Sequence, residues 1–334
     1  MSAVSVIIPN FNRSGLINET VRNVLSQSLP PFEVIVVDDG STDDSVTSLR
    51  AEFGDRIQLI EQSNQGPGAA RNAGLEVATG EFIWLMDSDD LASLNKLEVQ
   101  VESLQKYNAD VVYGPWARVF FQGQTVRLDG PVLQQRALPK NHDALMWFMT
   151  DWSLVFQQCL FRHSILKQAG LFREDMWTCD DSEYFVRILT QGAKIVFEDT
   201  SLTLYRCDDH GKVTGSGFQS TRRMIDWAKC LIAMCDQCQN RPEILLHPRL
   251  QLRLWRSATE LRRACPEKIK LLAELEARLS RASFVIRAEA FWARLQKATR
   301  TRIKGTHWPH SHQPGFLTSS QDRLVSQLGF HLQR

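Results

Sequence analysis

Hydrophobic positions in the first hundred residues come in short blocks separated by longer amphipathic stretches. Val4-Ser5-Val6-Ile7-Ile8 is too short for a helix, rich in β-branched residues and stopped by Pro9, so it reads as a buried strand. Comparable runs return at Glu33 to Val37, Arg56 to Ile60 and Glu81 to Met86. Between them the apolar spacing changes to three and four, which predicts helices over Leu16 to Leu25, Asp44 to Phe53 and Pro67 to Val77. Strand and helix alternating in this way imply βαβ crossovers, hence an α/β fold with a mostly parallel sheet flanked by helices. A helix at Leu94 to Tyr107 and a strand at Ala109 to Tyr113 follow. The pattern then loosens from Gly114 to Asp151, where a substrate-facing insertion is expected.

Beyond residue 222 the strand signals stop. Leu250, Leu254 and Leu261, then Leu272, Leu275 and Leu279, recur at spacings of three, four and seven, so residues 222–300 predict a mainly helical extension broken near Pro242, Pro248 and Pro266. The expected division is an α/β unit over 1–217, a helical basic extension over 218–303 and an irregular tail over 304–334.

The charge follows this division. The 334 residues carry a net charge of only +1, which excludes bulk electrostatic recruitment to nucleic acid. Yet residues 221–334 hold 21 Lys and Arg against 9 Asp and Glu, leaving 18 against 29 in residues 1–220. The basic helices could therefore meet an anionic membrane surface, or dock on the acidic first unit. No apolar stretch approaches the ~20 residues that span a bilayer. Residues 1–20 lack a basic-then-apolar signal pattern, and the seven scattered cysteines suit reduced thiols. The expected location is cytoplasmic, with peripheral contact at the inner membrane face as an option.

In parallel sheets ligands sit beyond the carboxyl ends of the strands, which directs attention to Pro9 to Asn12, Asp38 to Ser41, Asn64 to Gly68 and Asp87 to Asp90. In the second segment Ser41 reads as a helix N-cap with Asp44 closing a capping box, and Asp39 is left to accept from a base N–H edge or a ribose. Asp87, Asp89 and Asp90 place three carboxylates within four residues; they repel unless a positive charge lies between them. A divalent cation is the simplest such charge, and Mg²⁺ or Mn²⁺ takes one or two protein carboxylates with phosphate oxygens and water completing its shell. Gly66-Pro67-Gly68 suggests a turn presenting a helix N-terminus, with Arg71 as a bidentate phosphate donor. A third acidic cluster, Asp180-Asp181-Ser182-Glu183, opens the helical run Tyr184 to Leu189, where acids also complement the helix dipole. Trp116, Trp147, Trp152 and Trp177 offer flat faces to sugar rings or fill the core.

Taken together these segments resemble the family 2 inverting glycosyltransferases with the GT-A fold. The resemblance covers roughly Ala3 to Ser216 and rests on four motifs in order: Val4 to Asn12, Glu33 to Asp43, Gln65 to Gly74 and Asp87 to Asp90. It extends to Phe161-Arg162, Gly170-Leu171-Phe172 and Asp180-Asp181, where Glu-Asp is commoner in the family. The resemblance implies that Pro9 and Phe11 line a base pocket, that Asp39 binds the base, usually uracil, and that Arg71 lies near the donor. It implies that Asp87 contacts ribose or the metal shell, that Asp89 is the main protein ligand of Mn²⁺ or Mg²⁺, and that Asp181 is the general base. His210 follows Tyr205-Arg206 in a segment where a family His approaches the diphosphate or metal, here with spacing different by about two residues.

The implied function is metal-dependent, inverting transfer of a sugar from a nucleotide-sugar donor to a saccharide or lipid-linked acceptor, in polysaccharide or glycoconjugate synthesis. Two rivals remain: a nucleotide-sugar-binding protein without catalysis, and a nucleotidyltransferase. The second needs a basic glycine-rich segment near residue 10, where this chain has Pro9-Asn10-Phe11-Asn12.

Overall fold

β1 (Val4–Asn10) is buried along nearly its whole length, as a central parallel strand covered on both faces must be. It is joined through α1 (Leu16–Leu25), β2 (Glu33–Asp38), α2 (Ser45–Phe53), β3 (Gln58–Glu61) and α3 (Pro67–Val77) to β4 (Phe82–Leu85). Side chains alternate across these strands. Val6, Val36 and Trp84 pack with Ile17, Val21 and Val24 of α1, while Ile7, Ile35 and Leu85 pack with Ala70 of α3. The computed structural model describes residues 3–130, 132–133, 136–138, 143–151, 154–207, 220–280 and 317–333.

The chain continues through β5 (Leu91–Ala92), α4 (Lys96–Tyr107), β6 (Val111–Tyr113), β7 (Trp116–Gln122), β8 (Thr125–Leu128), α5 (Ala144–Thr150) and β9 (Cys159–Arg162). Then come α6 (His163–Ala169), α7 (Asp180–Thr190), β10 (Ile195–Phe197) and β11 (Thr203–Arg206). Among the described residues the main sheet has the order β10-β6-β9-β4-β1-β2-β3. All its pairings are parallel except those of β9, which runs antiparallel to both β4 and β6. The mostly parallel α/β sheet expected from the periodicity is therefore present. Within 114–151 the expected irregularity gives way to an antiparallel β7–β8 hairpin and to α5.

The expected helical extension is present over its described residues, 220–280, as α8 (Ser220–Gln237), α9 (Pro242–Leu245), α10 (Pro248–Ala264) and α11 (Ile269–Glu276), while 281–303 lie outside the described residues. Pro242 and Pro248 begin helices, where a missing N–H costs nothing. Leu231, Leu254, Leu261 and Leu275 join the same apolar cluster as Ile7, Phe148 and Phe185, so the extension shares the core of the α/β unit. Arg241 pairs with Asp143, Arg249 with Asp151 and Lys229 with Asp175. Part of the basic surplus thus faces the acidic unit. No described helix is long and apolar enough to cross a membrane.

Of the tail expected to be irregular over 304–334, residues 304–316 and 334 lie outside the described residues, and the described part is ordered. Thr318 and Gln321 form a capping box for α12 (Ser319–Gln327), and β12 (His331–Leu332) pairs in parallel with β8. β12 thereby completes a second sheet of order β12-β8-β7-β11-β5, with Phe330 edge-on to Phe121 at 4.9 Å. A two-residue strand has no periodicity of its own; it exists because β8 offers a free edge.

Candidate active site

The ends of β1 and β2 are laced by polar side chains. Asn10 Nδ2 donates to Asp38 Oδ1 at 2.7 Å, and Asp38 also accepts from the Ser41 hydroxyl and Ser41 N–H at 2.6 and 2.9 Å. Ser41 is therefore not the helix cap expected from the sequence. Its hydroxyl is held by Asp38 and accepts from Asn12 N–H at 2.9 Å, while α2 starts only at Ser45, whose N–H donates to Asp43 at 3.0 Å.

Asp39 is buried and ties β2 to the loop before α3: it accepts from Gln62 Nε2, Gln65 N–H and Gly66 N–H at 2.8, 2.9 and 2.8 Å. Between these residues Gly40 has φ +78°, and a Cβ there would lie 2.9 Å from Asn64 N, so only glycine suits the crossing. Pro9, paired with Val37, and Phe11, 39% exposed, sit at the same strand ends.

The strand-end acids of β4 are sorted among cations and amides. Arg71, on α3, donates from Nη2 to Asp87 at 2.9 Å and from Nη1 to Asp180 at 2.6 Å, with its guanidinium 5.6 Å from the Phe172 ring centroid. Arg71, expected as a bidentate phosphate donor, is here 10% exposed and cross-links two carboxylates. Burial works against its charge, yet Asp180 and Asp87 outweigh burial and hold its pKa above the ordinary value. Asp89 pairs with Arg13 at 3.5 Å, and Asp90 accepts from Arg206 N–H at 2.8 Å. Gln157 Nε2 donates to Asp87 at 3.0 Å and also to Asp90. The repulsion expected among the three acids is therefore relieved largely by the protein itself.

Asp87 and Asp89 supply carboxylate oxygen, the donor chemistry that hard divalent cations take. Among the described residues no three His, Cys, Asp or Glu side chains gather as a metal cage. A cation there would draw one or two ligands from the protein and the rest from phosphate and water, which is the usual balance for Mg²⁺ at a nucleotide.

Asp181 lies in the first turn of α7, beside Asp180, and its Oδ1 accepts from Ser182 N–H at 2.7 Å. Burial first, and the neighbouring Asp180 charge second, push its carboxyl up to about 7. Asp180 is raised by burial against the pull of Arg71. The turn entering α7 places Cys179 at φ +62°, and the Trp177 ring lies 3.2 Å from where a Gly66 Cβ would be.

Of the predicted site residues, Asp87, Arg71, Asp180 and Asp181 come together, with Asp89 on the same strand-end turn. Asp39, Pro9 and Phe11 stand at the neighbouring ends of β1 and β2. His210 and Trp152 lie outside the described residues. Trp116 is buried edge-on to Tyr205. Gln157 was not foreseen, because an amide within Phe156-Gln157-Gln158 carries no sequence signal.

Residues 5–170 match the family described as Glycosyl transferase family 2. The glycosyltransferase GlyG of Streptococcus pneumoniae is 29% identical over 245 residues, 69% of this chain and 77% of that protein. The Escherichia coli protein WfgD, named a UDP-Glc:α-D-GlcNAc-diphosphoundecaprenol β-1,3-glucosyltransferase, is 38% identical over 113 residues, 33% of this chain and 44% of its own length. Other relatives, such as an uncharacterized glycosyltransferase of Rickettsia bellii, are spanned over as little as 18% of their length. Among solved structures, S. aureus TarS 1–349 in complex with UDP-GlcNAc superposes with a TM-score of 0.56 at 20% identity, over 80% of this chain and 74% of that one. The mannosyltransferase PcManGT of Pyrobaculum calidifontis, with GDP-Man and Mn²⁺, gives 0.53 at 22% identity, over 89% and 82%. These two show a shared fold.

Proposed function

Because the chain belongs to glycosyl transferase family 2 and is a glycosyltransferase, we propose that it moves a sugar from a UDP-sugar to an acceptor hydroxyl with inversion at the anomeric carbon. The observation that carries this reading is the meeting of Asp87 and Asp180 on the Arg71 guanidinium, which sets Asp181 beside the strand-end acids. Asp181, with its carboxyl pushed up to about 7, takes the proton of the acceptor hydroxyl as that oxygen bonds to the anomeric carbon. The bond from the anomeric carbon to the diphosphate breaks in the same displacement, releasing nucleoside diphosphate. With one base and no enzymic nucleophile the displacement is single, hence inverting.

Asp89, with Asp87 at its edge, would hold Mn²⁺ or Mg²⁺, which when bound supplies positive charge beside the leaving diphosphate. Phe11, Pro9 and Asp39 form the wall for the base. A UDP-sugar is supported by the names of WfgD and of the TarS complex, and a lipid-linked or saccharide acceptor by that of WfgD. With such an acceptor the reaction would serve cell-surface polysaccharide or glycoconjugate synthesis in the cytoplasm at the inner membrane face, with the basic helices nearest the lipid.

The test is product release from UDP-glucose, UDP-GlcNAc and GDP-mannose with Mn²⁺ or Mg²⁺. Nucleoside diphosphate from one donor, lost in Asp181→Asn, supports the transferase. Pyrophosphate released from UTP supplied with a sugar 1-phosphate in a parallel assay would point to a nucleotidyltransferase, and binding without release to a non-catalytic sugar-nucleotide receptor.

A further inference from the structure

The backbone that leads into Asp181 is held from the helical extension. Asp226, on α8, is fully buried, and its Oδ2 accepts from Trp177 N–H at 3.0 Å, Thr178 N–H at 3.1 Å and the Thr178 hydroxyl at 3.3 Å. Arg222, one turn earlier on α8, lies 3.5 Å from the same oxygen and 5.1 Å from the Trp177 ring centroid. Cys179 follows at φ +62°, a left-handed conformation that is strained for a non-glycine residue and persists only where its surroundings enforce it. The far side of that residue is fixed by Asp180 on Arg71.

We propose that Asp226 is a positioning residue for the general base: α8 and Arg71 clamp the Cys179 turn from its two sides and so aim Asp181 at the acceptor. This rests on the reading of Asp181 as the base. Asp226 Oδ1 is buried with no hydrogen-bond partner among the described residues. A buried carboxylate with one unpaired oxygen is a liability to stability, which an apolar residue would remove. Its place on α8 follows from what Oδ2 holds. The Trp177 ring, pinned by the same contacts against Gly66, closes the gap between this turn and the donor-side loop.

The experiment measures kcat and KM with whichever of UDP-glucose, UDP-GlcNAc and GDP-mannose the wild type consumes, and amide exchange over residues 176–182 by mass spectrometry. Asp226→Ala should lower kcat by about 30-fold or more, as an ångström-scale misplacement of a reacting group does, with donor KM unchanged. Asp226→Asn, which keeps one acceptor oxygen, should recover most of the rate. Leu231→Ala, a core truncation on the same helix, should lower stability without changing kcat. Exchange at Trp177 and Thr178 should speed up in Asp226→Ala.

A wild-type kcat in folded Asp226→Ala, a matching loss in Leu231→Ala, or unchanged amide protection would overturn the proposal; the last needs no donor. If Asp181→Asn instead keeps the wild-type rate, the base assignment fails while the exchange result still reports the clamp. An inactive Asp181→Asn beside a fully active Asp226→Ala sinks the positioning role alone.

Discussion

The carboxylates of Asp87 and Asp180, far apart in the chain, meet on the two terminal nitrogens of Arg71, at 2.9 and 2.6 Å. One guanidinium thereby fixes the donor-side strand end relative to the helix that carries Asp181. Its Nε is buried without a hydrogen-bond partner among the described residues, so the described fork is aimed at the two acids.

Removing Arg71 should therefore damage both stability and rate. Arg71→Ala leaves Asp180 buried without its cation, a loss of ~3–5 kcal/mol for a broken buried pair. Urea unfolding should show a lower midpoint, and release of nucleoside diphosphate should fall below detection. Arg71→Lys, a point charge without the fork, should rescue folding more than turnover, because it cannot hold both acids in register.

The pH dependence follows from Asp181. With its carboxyl pushed up to about 7, the base form is lost as pH falls, so log kcat should decline below about pH 7 with unit slope against pH. Because the folded value lies above the unfolded one, the neutral acid favours the folded state. That contribution is full below the unfolded carboxylate range and is lost as pH rises through about 7. Asp181→Asn should accordingly raise the melting temperature at pH 8 and leave it nearly unchanged at pH 4, while lowering kcat by roughly 10²–10⁴-fold. A melting temperature that does not respond at pH 8 would contradict the raised value.

Titration calorimetry tests the cation site. UDP binding to the wild type should tighten when Mn²⁺ is added, and chelation should reverse it. In Asp89→Asn the affinity without metal should persist, since Phe11, Pro9 and Asp39 are untouched, but the Mn²⁺ increment should vanish. An unchanged increment would remove Asp89 from the metal shell.

Gly40→Ala probes the lacing of the first two loops. The added methyl needs a φ of +78° and meets Asn64 N at 2.9 Å, so the Asp39 loop must shift. Backbone strain of this kind costs about 1–3 kcal/mol. Weaker UDP binding together with a lower unfolding midpoint is expected; an effect on neither would show that the crossing is slack.

Periodicity and composition determined the alternating strands and helices of the first hundred residues, the mostly parallel sheet, the helical extension and the strand-end position of the acids. These are local or near-neighbour properties: side-chain period, β-branching and proline stops act within a few residues. Tertiary structure alone decided the rest. It inserted β9 antiparallel between β4 and β6, docked β12 on β8, turned Ser41 from a helix cap into a partner of Asp38, and converted Arg71 into a bridge. It also brought Gln157 to Asp87 and Asp226 to the turn before Asp181. Each depends on which distant groups share a buried space, where an unpaired charge or amide must find whatever partner the fold delivers.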